Sequence, residues 1–540
     1  MHTTSDLPDL LAGPLVRRVE PERVLLWLVA SRPLQQLHAS LQPVGQAAQQ
    51  LGLSDVRVIP IGRHAYVHLL TITPTSPLPQ DQIIHYDLQW DSEQGNGLRS
   101  TAAHLCHGDE LPSLMIASDN RRLLHGSCRK PHFAGEDALV RTDSWLAERR
   151  DQPEQRPAWL LMTGDQVYVD DVSGPLLVAV HQLIARLGLF DEALEGATVA
   201  DSQALYQSDD TYYRREQLLP DVPSNMAVRD RFFGGVRKPV FTSANAHNHL
   251  ISLAEMLAMY LLVWSPVPWR LIQPAMPDGL NDEERQRYQN EQQQIDAFVE
   301  GLPQVARLLA HQPSLMIFDD HDVTDDWNLT ADWERTAYGH PFSRQIIGNA
   351  VLAYLLCQGW GNDPDAVAEP LDALAQLLEN AKRSGSLDVS EQDACIDAVL
   401  RFHGWEYQIA GTPSLVVLDT RTRRWRSERS PFRPSGLMDW EALTELQQRL
   451  LDQTEVVIVS PAPMFGVKLI EGIQKLFSLA GHPLVVDAEN WMAHRGAAKV
   501  LLNIFRHGRT PGNYVILSGD VHYSFVYDIV IRHREHGPQL

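Results

Sequence analysis

Three short segments of this sequence place carboxylates, and in two of them a histidine, directly after an apolar run. Gly164-Asp165, followed by Tyr168, Asp170 and Asp171, comes after Trp159 to Met162. Asp319-Asp320-His321-Asp322-Val323-Thr324-Asp325-Asp326 follows Leu315 to Phe318, and Ser518-Gly519-Asp520-Val521-His522-Tyr523-Ser524 follows Tyr514 to Leu517. Carboxylate and imidazole groups at the ends of buried strands are suited to binding metal cations. The dense acids of the second segment would repel one another unless cations or hydrogen-bond donors compensate them. Taken singly, each segment has an ordinary reading, since Gly-Asp also makes turns or helix caps and an acidic run also makes a solvated loop. Taken together they supply the ligands of a two-metal hydrolase, in which ions about 3.5–4 Å apart polarise a phosphoryl group. No G-x-S-x-G elbow, G-x-G-x-x-G loop or Walker phosphate loop competes with that chemistry.

A fourth segment, His125-Gly126-Ser127-Cys128-Arg129-Lys130, follows Leu123-Leu124 and sets a thiol beside two basic residues. Arg129 and Lys130 should lower the Cys128 pKa and favour thiolate, for metal ligation or nucleophilic attack; a buried structural cysteine is the plainer alternative. The basic pair could also hold a phosphate, Arg129 as a bidentate fork and Lys130 as a point charge. Phe241 to His249 offers His247, Asn248 and His249 as rim residues, and equally as a helix cap with surface histidines. Asp487, Glu489 and Trp491 form another candidate edge cluster.

Positioning these segments takes strands of two kinds. Over residues 1–110, Val24 to Ala30, Val56 to Ile61, His64 to Ile72 and Ile83 to Trp90 are short β-branched or aromatic runs bounded by Pro, Gly and Ser, and they predict a small β-sandwich. Over residues 111–540, short continuous apolar runs alternate with helical periodicity, as in an α/β domain with parallel or mixed strands. Leu415 to Leu418 leads into Asp419-Thr420-Arg421-Thr422, and Val456 to Val459 leads into Ser460-Pro461-Ala462-Pro463. Ligands of open α/β sheets bind beyond the carboxyl ends of the strands, so polar clusters far apart in sequence can converge there. Helical spacing marks Val178 to Leu187, Leu250 to Leu262, Glu283 to Leu309, Phe342 to Leu356, Leu371 to Ala381, Trp440 to Leu451 and Ala497 to Phe505.

The 540 residues carry 46 Lys+Arg against 68 Asp+Glu, a formal charge of −22, which opposes non-specific binding to nucleic acid or to an anionic membrane. An apolar fraction of 44% supports a large folded core. Cys106, Cys128, Cys357 and Cys395 are too few for a disulfide scaffold, so reduced thiols are expected. Met1 to Val16 lacks a basic region before an apolar run, and Leu257 to Val267 is about half the ~20 residues a membrane span needs. A cytoplasmic protein without a membrane span is the expectation.

The ordered set Ser127-Cys128-Arg129-Lys130, Gly164-Asp165-Gln166-Val167-Tyr168, Asp319-Asp320-His321-Asp322-Val323, Leu418 to Thr422, Val459 to Pro463 and Ser518 to Ser524 resembles the alkaline phosphatase D-like (PhoD-like) branch of the calcineurin-like metallophosphoesterases. The run from Pro14 to Ala30 resembles that branch's N-terminal β-sandwich, and the resemblance covers roughly residues 12 to 530. It implies a four-layer α/β/β/α metallophosphoesterase domain with helical insertions behind the sandwich. It also implies a metal cluster of Fe3+ and Ca2+, with Mn2+, Zn2+ or Mg2+ in place of either. By motif position, Cys128, Asp165, Tyr168 and Asp520 resemble the iron ligands. Asp165 and Asp520 would bridge to a second metal completed by Asp320 and His522. Thiolate and phenolate on one ion suit ferric iron better than magnesium. His321 resembles the histidine that stabilises or protonates the phosphoryl transition state; His522 is a second proton donor, and Arg129 would stabilise the non-bridging oxygens. The implied activity is hydrolysis of small-molecule or polymer phosphate esters by metal-activated hydroxide. A phosphodiesterase on lipid, nucleotide or polymer diesters, and a non-hydrolytic metal- or phosphate-binding homologue, are the alternatives. The chain departs from the family pattern at Asp325-Asp326, before Trp327-Asn328, where extra negative charge keeps the binding-only alternative open.

Overall fold

The apolar runs marked in the sequence are strands in the structure, a computed structural model that describes residues 7–53, 56–91, 96–108, 110–218, 246–465, 491–526 and 528–529. From the N-terminus these are β1 (Leu10–Glu20), β2 (Arg23–Ala30), β3 (His38–Pro43), β4 (Gln49–Gly52), β5 (Val56–Gly62), β6 (Ala65–Ile72), β7 (Ile83–Trp90), β8 (Asn96–Gly97) and β9 (Ser113–Met115). They build two antiparallel sheets, ordered β1-β2-β6-β5 and β4-β3-β7-β8, with β9 also pairing β7. The apolar runs do not mark β1, because Gly13-Pro14 and Arg17-Arg18 interrupt its pattern. Arg17 is nevertheless fully buried, and its position joins the N-terminal sheets to the rest of the chain. Its guanidinium donates to the carbonyls of Ser314 (3.2 Å), Cys357 (3.2 Å) and Gln358 (2.9 Å) and to Asn362 Oδ1 (2.8 Å). Burial lowers its pKa to about 10, which leaves it charged at neutral pH.

The polar clusters follow β10 (Leu123–Gly126), β11 (Trp159–Thr163), β12 (Ser314–Ile317), β14 (Ser414–Val417), β15 (Val456–Ser460) and β16 (Tyr514–Ser518), with β13 (Tyr407–Ile409) an antiparallel neighbour of β14. Among the described residues these strands do not form one open sheet. β10-β11-β12 make a three-stranded parallel sheet, and β13-β14-β15-β16 make a second sheet whose last three strands are parallel. Every residue of β11, β12, β14 and β15 is buried, which is why these strands read as unbroken apolar runs rather than as alternation.

The helices cover the sheets. Gly174–Leu187, Leu253–Trp264, Asp282–His311 and Pro341–Cys357 join the N-terminal strands, β11 and β12 in one continuous apolar core. Trp440–Leu450 and Arg495–Phe505 pack on the second sheet through Leu443, Leu446, Leu501 and Ile504 against Val456 and Ile458. The apolar stretch singled out in the sequence falls largely in Leu253–Trp264, every residue of which is buried. No helix among the described residues is long and apolar enough to cross a membrane. All four cysteines are free.

Candidate metal centre

The ends of β10, β11, β12 and β16 meet at one place because the chain turns there in conformations few residues adopt. Cys128, Asp165 and Asp520 have φ of +61°, +55° and +68°, left-handed values that cost a non-glycine residue about 1–2 kcal/mol each. Backbone bonds hold these turns: Cys128 N–H donates to Gly164 O (3.2 Å) and Arg129 N–H to Asp165 O (2.9 Å). Gly164, at φ +94°, must be glycine, since a Cβ there would lie 2.4 Å from Asp319 Cβ. Gly519 is needed for a different reason: its Cβ would stand 2.3 Å from Thr163 O and 3.0 Å from Ser127 Cβ. Its N–H donates to Pro461 O at 2.9 Å, so the last strand's end is wedged between β11 and β15.

Asp322 organises the backbone of this region. Its carboxylate accepts from the backbone N–H groups of Asp165 (2.8 Å), Gln166 (3.2 Å), Val167 (3.3 Å) and Asp319 (3.0 Å), and from the Gln358 side chain (3.0 Å). Asp165 lies beside it, fully buried. One Asp165 oxygen accepts from the Cys128 thiol at 3.3 Å, and the other, Oδ1, has no hydrogen-bond partner. Burial, reinforced by Asp320, Asp319 and Asp322 and only partly offset by His321, pushes its pKa well above the usual carboxylate range. Asp320 goes the other way: burial opposes ionisation, but Arg421, His321 and the Asp326 N–H hold its pKa down.

The acids around His321 favour its protonated form. Burial alone would discharge it, yet Asp170, 2.9 and 3.0 Å from Nδ1, together with Asp320 and Asp165 raises its pKa well above 6.5. Its ring stacks on Tyr168 at 4.6 Å between centroids. Burial first, then Asp165 and Cys128, drive the Tyr168 pKa upward.

Ligand atoms of two acidic sets lie within 4.8 Å of one another: Asp165, Asp320 and His321, and Asp319, Asp320 and Asp520. Asp170, His321 and Asp325 form a third such set, built around the His321–Asp170 pair. Asp320 is common to the first two, whereas Asp165 and Asp520, the bridges expected from the sequence, each belong to one. Cys128 joins segments far apart in sequence, its Sγ being 3.3 Å from Asp165 Oδ2 and 3.4 Å from Asp520 O. His522 is exposed and belongs to none of these sets among the described residues. Its pKa is lowered by burial, His321 and Lys130.

Two expectations about the basic pair are corrected. Arg129 was expected at the phosphoryl oxygens, but its guanidinium is committed to Asp137 (2.9 Å), to Val263 O (2.6 Å) and to the face of Phe298 (4.6 Å), where it anchors the loop. Lys130 is likewise paired with Asp171, which His132 also contacts at 3.2 Å. With both charges so engaged, the Cys128 pKa is raised, by burial and then by Asp165, instead of lowered. A bound cation, not the basic pair, is what would make it a thiolate.

The rim candidates also resolve. His249 is fully buried, bonded to Leu250 O (2.6 Å) and Thr324 Oγ1 (3.0 Å). Asn248 ties Tyr213 N to Val172 O, and His247 stacks on Tyr213 at 6.0 Å. Trp491 donates to Ser460 Oγ at 3.0 Å, while Asp487 and Glu489 lie outside the described residues. Asn328, at φ +62°, donates to Arg421 O and accepts from Tyr338. Arg421 is the residue that sequence reasoning passed over. Fully buried, it pairs with Asp319 and, at 3.2 Å, with Asp320. The available signal was an arginine four positions past a strand end, in a domain where dense acids at other strand ends call for a counter-charge.

These residues fit a bound cation. A buried carboxylate with an orphan oxygen, two further carboxylates, a thiol and a phenol offer hard and soft donors together, and positive charge would offset the burial and the neighbouring acids that raise Asp165.

No protein-family profile and no curated protein matches the chain. Among solved structures it is similar to that of PhoD, at 12% identity and a TM-score of 0.40, over 97% of this chain and 73% of that one. It is also similar to purple acid phosphatase PPD1 from yellow lupin (Lupinus luteus) seeds, at 7% identity and a TM-score of 0.33, over 86% of this chain and 56% of that one.

Proposed function

We propose that this chain is a metal-dependent phosphoesterase of the alkaline phosphatase D-like type, hydrolysing phosphate mono- or diesters. The observation that carries the reading is Asp165: a fully buried carboxylate with one unpartnered oxygen, grouped with Asp320 and His321 within 4.8 Å. Cys128, Tyr168, Asp165 and Asp520 would hold Fe3+, and Asp320 with His522 would complete a neighbouring Ca2+ site. Such cations supply Lewis acidity to a phosphoryl group and a water ionised near neutral pH. The same reading divides the chain into a β-sandwich over 1–110 and a four-layer α/β/β/α catalytic domain over 111–540.

The chain's own residues then take distinct parts. His321, charged and fixed by Asp170, donates a proton to the leaving oxygen. Arg421 balances Asp319 and Asp320, so that the cluster can hold cations without an excess of negative charge. Asp322 keeps the 165–167 backbone turned toward the site. The test is hydrolysis of 4-nitrophenyl phosphate and bis(4-nitrophenyl) phosphate with elemental analysis of the same preparation. Turnover that a chelator abolishes and metal restores is the expected result. Full turnover in metal-free protein would sink the reading, and a colourless, iron-free, active preparation would remove the iron assignment alone.

A further inference from the structure

The turn after β12 and the loop after β14 help enclose a cavity of about 660 Å³, a volume typical of small-molecule sites. None of the metal or proton-transfer roles above uses it. Trp425 and Trp440 form one corner, their rings perpendicular with centroids 6.1 Å apart. Trp440 is 57% exposed, although it begins a helix whose Leu443, Leu446 and Leu450 are buried. A large flat side chain left in water at a cavity wall is a stacking surface.

The polar lining is mixed in sign. Arg424 and Arg426 bring donors, Glu334 and Glu441 bring acceptors, and Asn328 brings an amide whose N–H already bonds Arg421 O and whose oxygen accepts from Tyr338. Most of these charges are balanced: Arg426 pairs with Glu334 at 2.7 Å, and the two other lining arginines pair with Asp393 and Asp397 (Arg344) and with Glu445 (Arg423). The cavity is therefore neither an anion trap nor an apolar hole. Flat aromatic walls with donors and acceptors at their edges complement a flat heteroaromatic ring that carries donors and acceptors of its own. Its position links it to the acids, because Asn328 bonds the backbone of Arg421, whose guanidinium holds Asp319 and Asp320.

We propose that this cavity receives the base of a nucleoside phosphoester whose phosphoryl group lies at the acidic cluster. Only the placement of the phosphoryl group rests on the phosphoesterase reading; recognition of the ring rests on the cavity. The test is isothermal titration of chelator-treated protein with AMP, GMP, CMP and UMP against ribose 5-phosphate, repeated with Trp440→Ala and Trp425→Ala. The expected result is that at least one nucleotide binds about tenfold or more tightly than ribose 5-phosphate, within the range of base–aromatic stacking, and that at least one variant loses the advantage. A smaller advantage, or one that survives in both variants, overturns the proposal. Turnover of the nitrophenyl esters with metals restored is scored separately. Nucleotide binding without turnover keeps the ring site and removes the phosphoesterase reading, and turnover without a nucleotide advantage does the reverse.

Discussion

At the scale of single residues, the centre is a charge problem that the protein solves only in part. Arg421 and the His321–Asp170 pair hold Asp320 ionised, yet Asp165 remains buried with one oxygen unpartnered. Asp165→Asn should therefore act in opposite directions in two conditions. With metal present it should lose metal content and at least about 100-fold in turnover, since even outer-shell partners of a metal are worth 10–100-fold. With chelator it should be as stable as the parent or more so, because an uncompensated buried acid has been removed; urea midpoints with and without metal read both effects. A variant that keeps full activity at normal metal occupancy contradicts the assignment. Cys128→Ser should weaken or shift any visible absorption due to iron while leaving the fold intact, as the thiol packs against Ser127 and Asp165 and seals no core. The sequence revealed the ligand-bearing segments because acids after a buried strand stand out. It did not reveal what Arg129 does, since that depends on Asp137, the N-cap of a helix over Ala138–Ala147 that the apolar spacing does not mark.

At the scale of elements, the strand ends are set by steric limits that sequence shows only as isolated glycines. Gly519→Ala should cost about 1–3 kcal/mol, as expected for overpacking against backbone that cannot yield, and should lower activity by shifting Asp520. Unfolding midpoints and turnover of the variant measure the two together. On β6, His68 is fully buried, with Nδ1 on Tyr66 O (2.9 Å) and Nε2 toward Leu34 N–H (3.5 Å), so both ring nitrogens are used by the neutral form. Burial lowers its pKa to about 4, with the Tyr66 carbonyl opposing. Between pH 6.5 and about 4 the unfolded chain takes up a proton that the folded chain refuses, so stability falls as the pH is lowered through that window. His68→Gln should remove on the order of 3 kcal/mol of that loss. Urea midpoints between pH 4 and 7 test this, and an unchanged slope would contradict it. Four of the six strand ends, those of β11, β12, β14 and β15, were legible because strands buried on both faces are continuous apolar runs. Their division between two sheets was not, because no single strand's composition records its neighbours.

At the scale of the whole molecule, the N-terminal sheets and the strands bearing the site share one apolar core, and Arg17 on β1 donates to three carbonyls and one amide oxygen beyond residue 313. Trp27 adds a bond to Leu356 O at 3.0 Å and an edge-on contact with Trp264. Arg17→Met leaves those acceptors buried without a donor and should cost at least about 3 kcal/mol. The parent should unfold in one calorimetric transition, and two resolved transitions would show that the shared core does not couple the parts. None of this was legible beforehand, since an Arg-Arg pair in a β-rich segment reads as surface until its partners are known.

Cys128 Sγ and the carbonyl of Asp520 stand 3.4 Å apart although 392 residues separate them. A ribosome therefore releases the thiol long before the strand that completes its surroundings. During that interval the nascent chain presents Cys128 and the acidic turn after β12 without the edge that Gly519 wedges into place. A cation held by Cys128 and Asp520 together could therefore be captured only once the last described strand, Tyr514–Ser518, has been made.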